Sequence, residues 1–119
     1  MSRDIYVQDL PPEADAIRDI PDGWIPGPLP FTAADVIAAV RELLPGADFS
    51  DPTWGHVVFP GVDIEVSVSD ANPLKSFALH VRASDVAAAD AFVGALLRRL
   101  KVRAFDPEGA PASGIFGNG

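Results

Sequence analysis

Between Val62 and Asp70 the chain alternates without a fault, Val62, Ile64, Val66 and Val68 apolar against Asp63, Glu65, Ser67 and Ser69 polar, which predicts a strand with one buried and one wet face. Ser76 to Arg82 repeats the pattern, with Phe77, Leu79 and Val81 against Ser76, Ala78, His80 and Arg82. His56 to Phe59 is a shorter β-rich segment joined to the first by Pro60-Gly61, and a turn over Asp70 to Pro73 joins the other two. Together the three predict an antiparallel meander. Asp4 to Leu10 alternates around Ile5 and Val7 and predicts an opening strand that Pro11-Pro12 ends. Val102 to Phe105 predicts a closing one.

Helical spacing appears twice. Thr32 with Asp35 three residues on makes a capping box ahead of the stripe Val36, Ile37, Val40, Leu43 and Leu44, and Pro45-Gly46 stops the helix. Ser84 is the expected cap of the second helix, whose stripe is Val86, Ala89, Phe92, Val93, Leu96, Leu97 and Leu100, with Arg98, Arg99 and Lys101 near its negative end. Ala47 to Gly55 is turn-rich. The predicted order is β-α-β-β-β-α-β: an α+β two-layer sandwich, a mainly antiparallel sheet with two helices on one face, ferredoxin-like or related.

Six of the twenty residues from Pro11 to Pro30 are proline, which leaves room for one or two helical turns over Glu13 to Ile20 and otherwise forbids regular structure. Ile17, Ile20, Trp24, Ile25 and Leu29 argue that this loop packs on the body. Residues 106–119, rich in glycine, are read as a flexible tail in which Ile115-Phe116 is positioned to dock.

At 119 residues and 48% hydrophobic content the chain suits a single domain, residues 1–119, able to bury a core unaided. The lack of cysteine excludes disulfides, thiolate metal sites and a cysteine nucleophile. With no basic start followed by an apolar run and no stretch of membrane-spanning length, the expectation is a cytoplasmic protein with no membrane partner. The net charge is −8, and residues 1–70 hold thirteen acids against three bases while residues 71–119 hold four against six. Such a front repels nucleic acid and suits a basic protein.

Strand parity places Tyr6, Gln8, His56, Asp63, Glu65, Ser67, His80 and Arg82 on the sheet face turned away from the helices. That face reads as a binding platform, as an acid–base site pairing His56 or His80 with Asp63 or Glu65, or as a solvated surface with charge pairs such as Glu65 with Arg82. Asp63 and Glu65 with a histidine are also the donor types of a divalent-metal site, but no local metal-binding spacing accompanies them, and neither a metal nor a cofactor is expected. No nucleophile elbow, phosphate-binding loop or dinucleotide fingerprint occurs, so no catalytic residue is assigned. The segment Asp48 to His56 gathers two acids, two hydroxyls and Trp54 ahead of a strand and reads either as a recognition loop anchored by Trp54 or as a structural turn set by Ser50 or Asp51, with Trp54 capping the edge of the core.

The phrases DIYVQDLP, ADFSDPTWG, IEVSVSD, FALHVR and VRAFDPEG resemble a class of small uncharacterised bacterial α+β proteins. Similar small proteins include immunity partners of secreted toxins. The resemblance implies a compact acidic module without chemistry of its own and carries over no individual residue. The expected function is a non-catalytic protein-binding module, immunity-like, using Asp48, Asp51, Trp54, Asp63, Glu65 and His80 on a basic partner. The alternatives are a small hydrolase or lyase using histidine and carboxylate on the open face, and a structural homodimer.

Overall fold

The computed structural model describes residues 2–69, 71, 73–107 and 115–116. Its elements are β1 (Ser2–Gln8), α1 (Ala33–Leu43), β2 (Asp48–Asp51), β3 (Trp54–Phe59), β4 (Val62–Val68), β5 (Ser76–Ala83), α2 (Val86–Leu100), β6 (Ala104–Phe105) and β7 (Ile115–Phe116). All seven strands join one sheet in the order β2-β3-β4-β5-β1-β6-β7, and each neighbouring pair is antiparallel. The fold is therefore α+β with an open antiparallel sheet and two helices. Four strands rather than three lie between the helices, because Asp48–Asp51, read from sequence as turn, pairs with β3.

Alternation does what it predicts. Along β4 every second residue, Val62, Ile64, Val66 and Val68, is buried, and β5 buries Phe77, Leu79 and Val81 in step with them. These join Ile5, Val7 and Val57 in one hydrophobic cluster that also holds Val36, Ala39 and Val40 of α1 and Phe92, Val93, Leu96 and Leu97 of α2. Removing this apolar surface from water is the main source of stability. The predicted stripes shift slightly: α1 buries Ala39 while Leu43 stays exposed at its end, and Val86 is exposed in the first turn of α2.

Local chemistry sets the junctions. Thr32 Oγ1 accepts from the Asp35 amide and the Asp35 carboxylate accepts from the Thr32 amide, closing the predicted capping box of α1. The cap of α2 is Asp85, not Ser84: its carboxylate accepts from the Ala88 amide at 3.0 Å. Asp85 holds that place because the Ser84 and Asp85 amides both donate to the carbonyl of Gly61, tying the start of α2 to the β3–β4 turn. Gly61 has φ +77°, a left-handed conformation that a side chain disfavours, and a Cβ there would also meet Asp85.

The proline-rich segment makes a single 3₁₀ turn, Ile17–Asp19, whose Asp19 carboxylate accepts from the Asp15 and Ala16 amides. Leu10, Ala14, Ala16 and Leu29 are its buried contacts, whereas Ile25, expected to pack, is 81% exposed. Arg103 donates to the Pro11 and Ala14 carbonyls, Trp24 Nε1 to the Asp9 carbonyl, and the Leu29 amide to the Leu74 carbonyl. Of the predicted tail, residues 108–114 and 117–119 lie outside the described residues. Ile115–Phe116 does dock, as β7 on β6, with the Arg3 guanidinium 5.3 Å from the centre of the Phe116 ring. Among the described residues no helix is long and apolar enough to cross a membrane.

Candidate functional site

The residues opposite one another in an antiparallel pair project from the same face, so the registers assemble the polar face of the sheet row by row. Asp48 faces His56, His56 faces Glu65, Glu65 faces His80 and His80 faces Asp4. The result is a row across five strands in which acids and imidazoles alternate. The next row runs Val58, Asp63, Arg82, and the row on the other side runs Asp51, Trp54, Ser67, Ala78, Tyr6, Phe105. All six residues singled out from sequence, Asp48, Asp51, Trp54, Asp63, Glu65 and His80, therefore share one face.

The pairings differ from those expected. Asp63, not Glu65, lies opposite Arg82, and Glu65 lies opposite His80. Each histidine binds an aspartate: His56 Nε2 is 2.6 Å from Asp63 Oδ1, and His80 Nδ1 is 2.7 Å from Asp4 Oδ1. Neither ring binds Glu65, whose side chain makes no hydrogen bond or ion pair to any described residue. Of the expected histidine–carboxylate pairings the structure forms His56 with Asp63; none involves Glu65, and His80 pairs instead with Asp4. No serine or threonine hydroxyl among the described residues is hydrogen-bonded to either ring.

Asp48 and Asp51 shape the edge of the site. The Asp48 carboxylate accepts from both the hydroxyl and the amide of Ser50, and Asp51 does the same with Thr53, the short turn chemistry typical of aspartate. The Ser50 hydroxyl first and its amide second hold Asp48 below its ordinary value of 3.8, with His56 and Arg41 adding smaller attractions. The Thr53 hydroxyl and amide lower Asp51 in the same way. Hydrogen bonds to the ionised form favour it, so both residues carry negative charge at any ordinary pH.

Trp54 is 46% exposed, and its indole stacks on the His80 ring with centroids 5.7 Å apart and planes 24° apart. Asp4 thus holds His80 and His80 supports Trp54. Val58, four residues along β3, is 60% exposed. The open face therefore combines an apolar pair on β3 with carboxylates on β1, β2 and β4, the composition of an interface whose apolar centre is ringed by charge. A recess of about 210 Å³ opens between Trp54, Glu65, His80 and Asp4.

Sequence reasoning missed Asp4 and Val58. Asp4 carries the correct strand parity, but only the β1–β5 register shows its neighbour to be His80. Val58 also has the right parity, and was passed over because an apolar residue inside a β-rich run reads as core. Two larger clefts are present: one of about 530 Å³ beneath the proline-rich loop, lined by residues such as Leu10, Pro30, Lys101 and Arg103, and one of about 540 Å³ that takes in Tyr6, Ser67 and Ala78 of this same face and extends to Ser69 and Lys75. Among the described residues no group of three or more histidines and carboxylates is placed to hold a metal ion. No protein-family model matches the chain, and neither a curated protein nor a solved structure does.

Proposed function

We propose that this chain is a protein-binding module of the immunity type, which covers a basic partner with the open face of its sheet. The observation that carries the reading is the gathering of Asp4, Asp48, Asp51, Asp63 and Glu65 around the exposed Trp54 and Val58 on a single face. We read the helices as one layer over the buried face, an arrangement that leaves the acidic face free. A surface on which acids outnumber bases steers a basic protein toward it, an attraction that weakens with salt, while a half-exposed tryptophan supplies the contact area that dominates binding energy. A cytoplasmic home suits a protein that neutralises a partner before it leaves the cell.

The test is affinity capture from the source cell's lysate, with wild type and an Asp63→Lys/Glu65→Lys double variant as baits at low and high salt. A basic protein held by wild type at low salt, released by salt and not captured by the double variant is the expected result. With that protein purified, the association rate constant of the double variant should be about tenfold lower than that of wild type. An unchanged rate, or no salt-sensitive basic protein on wild type, overturns the reading.

A further inference from the structure

We infer that the recess beside Glu65 receives an arginine side chain of the basic partner, its guanidinium forked onto the Glu65 carboxylate and lying against the Trp54 indole. This rests on the binding role proposed above and assigns the chemistry of its central contact.

Four of the five acids on the open face are already engaged: Asp4 by His80, Asp63 by His56, Asp48 by Ser50 and Asp51 by Thr53. Glu65 is flanked by His56 and His80 in the register, yet both rings are turned to other carboxylates. Glu65 lines the recess together with Trp54.

The size of the recess selects the occupant. About 210 Å³ is the room of roughly seven waters, enough for one long side chain and below the ~300–1,000 Å³ of small-molecule sites. The charges around it select the sign. Arg3 is tied to Asp90, and Arg82 lies opposite Asp63. The lining itself pairs Asp4 and Glu65 with these two arginines, but the face around it carries Asp4, Asp48, Asp51, Asp63 and Glu65 against Arg82, an excess of acid that calls for a cation.

The shape of the groups selects arginine over lysine. A guanidinium is planar, so it matches a carboxylate with two parallel hydrogen bonds and can lie flat on an indole, whereas an ammonium does neither as well. Stacking on His80 fixes the Trp54 ring before the partner arrives, which lowers the ordering cost of the contact.

The test titrates hexa-arginine and hexa-lysine peptides by calorimetry at low salt into wild type, Glu65→Gln, Trp54→Leu and the off-face control Glu13→Gln. Glu13 is exposed on the proline-rich loop, so its variant removes an equal charge elsewhere. Glu65→Gln keeps the side chain's shape, and thermal unfolding checks that each variant folds. Wild type should prefer hexa-arginine, Glu65→Gln and Trp54→Leu should each weaken it about tenfold, and Glu13→Gln should change it less than about twofold. If Glu65→Gln behaves as Glu13→Gln does, or the two peptides bind wild type equally, the recess is not an arginine site, although the acidic face can still be a binding surface. If neither peptide binds wild type, the acidic-surface reading falls with it.

Discussion

Gly55 lies directly beneath the ring of Phe49, where an added Cβ would stand 2.2 Å from the ring carbon Cε1. Phe49 is the buried residue of β2, with the Arg41 guanidinium 5.6 Å from its ring centre, so the ring has little freedom to retreat. Gly55→Ala should therefore destabilise the fold by about 1–3 kcal/mol, the usual cost of overpacking, read as a lower urea midpoint with an unchanged slope. Sequence shows the glycine but not the ring above it. Face assignments were legible at the same scale because parity along a strand needs no tertiary information. Partners were legible only in part. The two-residue turn at Pro60-Gly61 places Phe59 opposite Val62 and so forces His56 opposite Glu65. No such arithmetic links Asp4 to His80 across more than seventy residues of chain, and the pair was invisible.

At the scale of elements, the helices were read correctly wherever one local signal stood alone. Thr32 has no competitor and caps α1; Ser84 and Asp85 are both competent caps, and the bonds to the Gly61 carbonyl decide between them. Asp85→Ala should cost about 1 kcal/mol while Ser84→Ala stays within about 0.5 kcal/mol, a contrast that thermal unfolding of the two variants checks. A larger loss from Ser84→Ala would show the cap assigned to the wrong residue. β2 escaped the sequence because three of its four residues are Asp or Ser, types that favour turns, and only Phe49 points inward. Its strand character comes from pairing with β3 and from burying that one ring, forces that belong to the assembled sheet.

For the molecule as a whole, the proline-rich loop depends on Arg103, which reaches from the chain after α2 to the Pro11 and Ala14 carbonyls at 2.6 and 2.7 Å. Charge-assisted bonds of this kind contribute about 1.5 kcal/mol or more each, so losing both in Arg103→Ala should raise local opening of the loop on the order of a hundredfold. Trypsin cleavage at the exposed Arg18 should quicken by a similar factor while the thermal midpoint moves little; an unchanged cleavage rate would show the loop held by its buried leucines and alanines alone. The Arg103 clasp was not legible in the sequence, since an arginine after a helix looks like an ordinary dipole partner.

The turn chemistry of Asp48 and Asp51 has a further effect on how the molecule meets its neighbours. β2 is the border of the sheet, where unpaired amides normally invite another strand to continue the ladder. Here the Ser50 amide on β2 is already taken by the Asp48 carboxylate and the Thr53 amide in the turn after it by Asp51, and two copies brought together along this border would set like charges against each other. Carboxylates at this border therefore make it a poor template for a further strand, and two copies should not pair edge to edge along β2.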